Sequence, residues 1–237
     1  MLNLDFSIIW PSLPLLMQGM WVTLRITMTA ILVGIVWGTM LAVARSSPVW
    51  ILRVLSSLYV NIFRSIPLVM VLLWFYLIVP QFVSKGMQNI PQIVLDIFHI
   101  SPQTDVRFVS ALLAFALFEA AYYAEIIRAG IGSISQGQMQ AALALGMTRG
   151  QSLRLIVLPQ AFKVMTPLLL TQGIILFQDT ALVYVIGLKD FFRQSTIIGK
   201  NYGSEIETVL FAGIIYFIIC SCLSLAVHYF KTRKAHV

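Results

Sequence analysis

The residues of this chain best placed to do chemistry are a few charges set within or beside long apolar runs: Arg64, Glu119, Glu125, Arg128 and Asp179. A charge at the centre of a bilayer costs about 2.5 to 3.5 kcal/mol on insertion scales, so such a residue faces a partner, a cavity or the interior of a bundle. Arg64 lies in N-I-F-R-S-I-P-L, shortly before Pro67. Pro67 has no backbone donor and frees a carbonyl, so a helix start there opens toward a cavity in which a guanidinium can grip a carboxylate through two parallel donors. An anchor at the inner membrane boundary explains the same Arg64 equally well. Glu119 precedes Arg128 by nine residues, roughly 14 Å of helix, which sets it near mid-membrane as a relay acid or a packing acid. Glu125 and Arg128 are three apart and can pair across one turn. Asp179, between Gln178 and Thr180, either lines a polar path or bonds a neighbouring helix. Arg64, Glu119 and Asp179 are the candidates for a polar path across the membrane.

Other chemistries lack their residues. There is no G-x-x-x-x-G-K-[ST] to cradle nucleotide phosphates, and neither G-x-S-x-G nor H-E-x-x-H occurs. His99, His228 and His236 are scattered without ligand spacing, and Cys220 and Cys222 lie inside an apolar run as packing residues. No catalytic residue, metal site or cofactor site is expected, and the chain is not expected to be an enzyme. The net charge of +7 comes from Lys and Arg at the ends of apolar runs, not from a basic patch interleaved with aromatics. It describes membrane topology and no nucleic-acid partner.

The elements that must position these charges are transmembrane helices. At 237 residues, 59% hydrophobic and 11% charged, with a mean hydropathy of +0.89, the chain reads as an all-α integral membrane bundle of about five spans. Residues 1–18, with Asp5, Trp10, Pro11 and Pro14, are expected to form an interfacial lead-in without the basic start of a signal peptide. Spans are expected at about 19–44, 65–83, 107–128, 164–188 and 207–230, within one membrane domain over 19–231, and 232–237 form a tail. The first span carries Gly34 and Gly38, a G-x-x-x-G pair suited to close helix contact. Ten of the sixteen Lys and Arg residues, Arg45, Arg53, Arg64, Arg128, Arg149, Arg154, Lys163, Lys231, Arg233 and Lys234, fall on one side of this arrangement. The bias toward positive charge inside therefore predicts an outer N-terminus and a cytoplasmic C-terminus. No internal repeat supports an inverted-repeat carrier.

Residues 129–163 interrupt the spans with a moderately polar but structured loop. Ser135 with Gln138, and Thr148 with Gln151, each have the S/T-x-x-Q form of a reciprocal helix cap. They predict one short helix from about Gln136 to a stop at Gly146, and a second ending at Leu158 before Pro159. Such a loop is a docking surface.

This loop resembles the ATPase-coupling loop of ABC importer permeases, whose pattern is E-A-A, three residues, G, nine residues, I-x-L-P. Ala141, Ala142, Gly146, Ile156, Leu158 and Pro159 match, while Gln140 stands where that pattern has Glu. Gln hydrogen-bonds but cannot form an ion pair. The segments V-N-I-F-R-S-I-P-L-V, F-E-A-A-Y-Y-A-E-I-I-R-A-G-I and G-I-I-L-F-Q-D-T-A-L-V extend the resemblance over most of the chain, to polar amino-acid permeases and within them to the permease subunits of glutamate/aspartate importers. The resemblance implies a translocation subunit in the bacterial inner membrane, multi-pass, with a second permease, two ATPase subunits and a periplasmic amino-acid-binding protein as partners. ATP and Mg would be bound by the ATPases. A stand-alone channel or proton-coupled carrier, with Glu119 and Asp179 as relay acids, is the competing function.

Overall fold

The computed structural model describes residues 4–86 and 105–235, and every regular element among them is helical. In chain order these are α1 (Ile9–Arg45), α2 (Trp50–Ser65), α3 (Leu68–Gly86), α4 (Val106–Gly132), α5 (Gln136–Ala144) and α6 (Arg149–Ser152). A π-helical turn (Leu153–Val157), α7 (Leu158–Asp179), a 3-10 helix (Thr180–Ile186), α8 (Phe191–Tyr202) and α9 (Glu205–Ala235) follow. Four stretches are long and apolar enough to cross a membrane, or five if the bent pair α2–α3 counts as one span. The expected outer loop after the second span falls largely on residues outside those described.

Several helix bounds differ from the expected spans. The first helix begins at Ile9, well before Gly19, and its 37 residues measure roughly 55 Å, far more than the ~30 Å of hydrocarbon. Residues read as a lead-in because of Pro11 and Pro14 are helical: Pro11 lies in the first turn, where the backbone donors are unbonded anyway, and Pro14 is carried inside the helix. Ahead of Pro67, α2 forms a separate helix. Ile66 takes an extended conformation (φ −105°, ψ 135°), as a residue before proline prefers, and the chain turns by 105° between α2 and α3. Part of the expected outer loop over 189–205 is the helix α8, capped by Asp190, whose carboxylate accepts from the backbone N–H groups of Phe192 (3.2 Å) and Arg193 (2.9 Å).

Helix α4 is the axis of the bundle. Sixteen of its residues are buried, and it meets α1 running parallel to it. Arg25 stacks over Phe108 at 4.7 Å, Gly34 lies against Glu119 and Tyr123, Gly38 against Ala120 and Ala124, and Arg45 reaches Glu125. Helix α7 packs on α4 antiparallel, with Met165 against Gly130 and Gly173 near Tyr123. Helix α9 runs the same way as α1: the Asp5 N–H donates to Glu207 at 3.4 Å, and Ile9, Leu16 and Met20 share an apolar cluster with Phe177, Ala212 and Cys220. Two parallel helices consecutive in the bundle need a returning segment between them, which α2 and α3 supply.

The α1–α4 crossing depends on the absence of side chains at Gly34 and Gly38. A Cβ at Gly38 would stand 2.8 Å from the Ala120 carbonyl oxygen and 2.9 Å from the Ala124 nitrogen, both backbone atoms of α4. The two helices would have to separate. Gly38→Ala is expected to lower stability by about 1 to 3 kcal/mol, the usual cost of overpacking, seen as a fall in the melting temperature in detergent. Gly213→Ala on α9, where a Cβ meets nothing within 4 Å, is the control; equal melting by the two variants would show that the crossing is not tight.

Candidate functional site

The docking loop folds from local signals. Ser135 caps α5, but its hydroxyl accepts from the Gly137 N–H at 3.2 Å and no reciprocal bond from Gln138 forms. The Gln138 side-chain oxygen is used elsewhere, accepting from the Gln160 amide at 3.5 Å. At the second helix the reciprocal cap is complete: the Gln151 N–H donates to Thr148 Oγ1 (3.3 Å) and the Thr148 N–H to Gln151 Oε1 (2.9 Å). Gly146 has φ +82°. Around it the Met147 N–H bonds the Ala142 carbonyl (3.2 Å) and the Gly146 N–H that of Leu143 (3.0 Å), the two bonds of a left-handed helix stop.

The helix expected to end before Pro159 does not end. Instead of α-helical bonds, residues 153–157 form a π turn in which the Leu158 N–H reaches the Leu153 carbonyl. Pro159 follows as the second residue of α7, inside the continuous helix, where its missing N–H removes one backbone bond to the preceding turn. The Gln160 amide donates to the Ile156 carbonyl at 3.0 Å, satisfying an acceptor near the irregularity. Proline stops an ordinary α-helix because its ring meets the carbonyl four residues back; one wider turn shifts that carbonyl away. The chain is consequently helical from Arg149 through Ile186, so the span expected from about 164 has no separate start, and Pro167 lies inside α7.

The seven coupling-loop positions divide by exposure. Ala142 is buried, at 4%, whereas Gln140, Ala141, Gly146 and Pro159 are exposed and Ile156 and Leu158 half-buried. Leu145 is 85% exposed, an apolar side chain offered outward at the tip. Beside it, Ile131, Ile134, Met139, Gln140, Leu153 and Val157 help line a groove of about 430 Å³.

Above the loop, one carboxylate gathers three guanidiniums. Glu125 bonds Arg128 on its own turn, as its spacing predicts, and Arg45 Nη1 lies 2.5 Å from Glu125 Oε2. Arg64 Nη1 stands 3.8 Å from the same oxygen and its guanidinium lies 5.6 Å from the Tyr122 ring centroid. Arg45 Nε also donates to Ser57 Oγ at 3.2 Å. Three elements, α1, α2 and α4, are thereby tied at one end of the bundle, with formal positive charge in excess. Sequence reasoning treated Arg45 only as a marker of topology; the parallel course of the first and third spans, implicit in the span count, puts their like ends together.

Glu119 is fully buried. It faces α1 at Gly34 and accepts from the Gln172 side-chain amide through both oxygens, at 3.1 and 3.3 Å. Gln172 was not singled out in the sequence, although it lies one turn beyond Leu168 on the span that carries Asp179. Asp179 is half-buried at the end of α7. Arg64 thus joins Glu125 and not Glu119 or Asp179, so the three path candidates do not converge on one point. No cluster of His, Cys, Asp and Glu suited to a metal occurs among the described residues.

The chain is a membrane bundle with three guanidiniums gathered on Glu125 at one end and, at that end, an ordered helical loop whose second helix continues unbroken into a span. It is the membrane component of a transport system. The chain belongs to the family of binding-protein-dependent transport system inner membrane components, whose model matches residues 30–236. It is 57% identical over 99% of its length to the whole of the glutamate/aspartate import permease protein GltK of Escherichia coli O157:H7. It is 34% identical to the arginine transport system permease protein ArtQ of Bacillus subtilis, over 94% of both chains. Among solved structures it resembles an amino acid ABC transporter crystallised with histidines (31% identity, 98% of this chain and 100% of that one, TM-score 0.81). The fold also matches the MetNI methionine ABC transporter, at 21% identity over 94% and 97% of the two chains, with a TM-score of 0.69.

The left-handed stop at Gly146 gives a direct test of the loop. No neighbour lies within 4 Å of a Cβ there, so only the positive φ resists a side chain. Gly146→Val is expected to cost about 1 to 2 kcal/mol locally and to impair transport while membrane insertion persists, measured as uptake against membrane abundance. Gly146→Asn, which tolerates that conformation better, should retain more activity. Normal uptake by the Val variant would show that the stop does not aim the loop.

Proposed function

We propose that this chain is a permease subunit of an ATP-driven bacterial importer of glutamate and aspartate. The observation that carries the reading is the end-to-end likeness to GltK. In this reading the N-terminus is outside and the C-terminus in the cytoplasm of the inner membrane, which the gathering of Arg45, Arg64 and Arg128 around Glu125 supports. A second permease completes the translocation path, and a periplasmic binding protein delivers the amino acid. Two ATPase subunits, which bind ATP and Mg, dock at Gln140, Ala141, Ala142, Gly146, Ile156, Leu158 and Pro159. This chain supplies no catalytic group.

The mechanism follows from the continuous helix. A push on α6 enters α7 without a break in the helix, while one on Gln140, Ala141 or Ala142 reaches it across the Gly146 turn, and α7 contacts α4 at Met165, Gly173 and Gln172. Movement of the ATPases is thereby transmitted as a tilt or slide of α7 on α4. A proton-coupled carrier using Glu119 and Asp179 fits less well, because Glu119 is sealed from solvent and held by Gln172. Membrane vesicles containing the full complex should take up labelled glutamate or aspartate on ATP addition, and vesicles lacking this chain should not; equal uptake by both would refute the reading.

For the path itself, we propose Arg64, Asp179 and Glu119 as contributors, Glu119 becoming accessible only when α7 moves and Gln172 releases it. Arg64 is the strongest of the three for an acidic substrate, since its side chain is 41% exposed and only loosely engaged by Glu125. Arg64→Lys keeps the charge and loses the planar fork. Uptake of glutamate and aspartate is expected to fall at least several-fold with the complex still assembled. Uptake at the wild-type level would make Arg64 a boundary anchor only.

A further inference from the structure

At the opposite end of the bundle, where α1 and α9 begin, Phe6, Ile9, Trp10, Leu13, Phe211 and Ile214 line a second groove of about 430 Å³. Every lining side chain is hydrocarbon or aromatic, and Trp10 is 76% exposed. The lining takes in about one turn of each helix, Ile9 and Leu13 on α1 and Phe211 and Ile214 on α9. The groove therefore lies between the starts of the two helices.

The mouth of the groove is acidic. The Asp5 N–H donates to Glu207 Oε1 at 3.4 Å, so the two residues stand together, and Glu207 is one turn before the lining residue Phe211. Glu205 shares the first turn of α9. Among the described residues none of these three acids has a cationic partner. A helix N-terminus favours acids, which accounts for each acid singly. It does not account for two such ends set side by side, without a cation, at the mouth of a wholly apolar channel.

We infer that this groove is a phospholipid site that takes one acyl chain between α1 and α9 and an ammonium headgroup, of the phosphatidylethanolamine class, at Asp5 and Glu207. Hydrocarbon fills the groove because the bilayer is its solvent, and Trp10 sits where aromatic side chains meet the headgroup layer. The paired acids attract a headgroup amine and repel a lipid whose headgroup is only anionic. Occupancy would fasten the start of α1 to the start of α9. The inference needs only that the chain spans a membrane and is independent of the substrate.

The test uses the assembled complex reconstituted in bilayers of equal phosphatidylethanolamine and phosphatidylglycerol, followed by mass spectrometry of the lipids retained after mild extraction. Wild-type complex is expected to retain phosphatidylethanolamine several-fold over its supplied share. Asp5→Asn with Glu207→Gln should return the ratio to that supplied. Ile214→Trp, which fills the groove at a half-exposed position, should lose retained lipid of both kinds. Retention in the supplied ratio by the wild type, or an unchanged preference in the Asn/Gln variant, would overturn the site. So would cross-linking of Trp10→Cys to a partner subunit in a complex that retains no lipid, because the groove would then be a protein contact.

Discussion

The close, parallel approach of α1 to α4 is the constraint on which the other elements depend. Lipid tails are as apolar as leucine, so helices in a bilayer gain little from burying hydrocarbon against each other and rely on packing distance and polar bonds. Gly34 and Gly38 bring the α1 backbone within contact of Ala120, Tyr123 and Ala124. At that distance the α1 surface covers Glu119, and the end of α1 delivers Arg45 to Glu125. Because the two helices are parallel, the segment between them must return, and the sharp turn at Ile66 and Pro67 lets it do so while leaving Arg64 beside the same carboxylate.

A second consequence concerns transmission. The second loop helix, α6, and α7 form one continuous helix because the π turn absorbs Pro159, whereas α5 is set off from them by the stop at Gly146. Had the helix stopped there, the loop would have moved on a hinge independently of the span. With α7 touching α4 through Met165 on Gly130 and Gln172 on Glu119, α6 is joined through α7 to the buried Glu119. The Glu119–Gln172 bond is polar and dry, so breaking it without a replacement partner leaves a buried acid unsatisfied. That makes the pair a natural register mark between the two helices.

The arrangement also separates two uses of charge. Around Glu125 the guanidiniums outnumber the carboxylate, which leaves one end of the bundle basic. At the other end Asp5, Asp105, Asp190, Glu205 and Glu207 stand with Arg107, Lys189, Arg193 and Lys200, so that end carries both signs. These side chains sit near the helix ends, where snorkelling and interfacial water keep the cost of charge low. Glu119, far from both ends, relies on Gln172, as the buried Asp190 relies on the backbone N–H groups of Phe192 and Arg193.

Local physics was legible in the sequence. The apolar runs declared an all-helical membrane bundle, the Thr148–Gln151 cap and the Gly146 stop each depend on residues within a few positions, and Glu125–Arg128 is a one-turn pair; all appear in the structure. The spacing of the loop residues likewise carried the family resemblance. Rules that are local but conditional misled: Pro159 was read as a helix end because a proline ring blocks an α-helical turn, and only the three-dimensional path, with its wider turn, shows that the block is avoided. What the tertiary structure alone decided are the contacts between distant segments. Gly34 and Gly38 could be named as a pair, but not matched to Ala120 and Ala124. Arg45 could be counted as a basic residue, but not joined to Glu125. Gln172 gave no signal until α7 laid it over Glu119. A side chain's partner across a bundle is set by helix rotation and crossing distance, which depend on the packing of every neighbour at once and are not written in the spacing of any one segment.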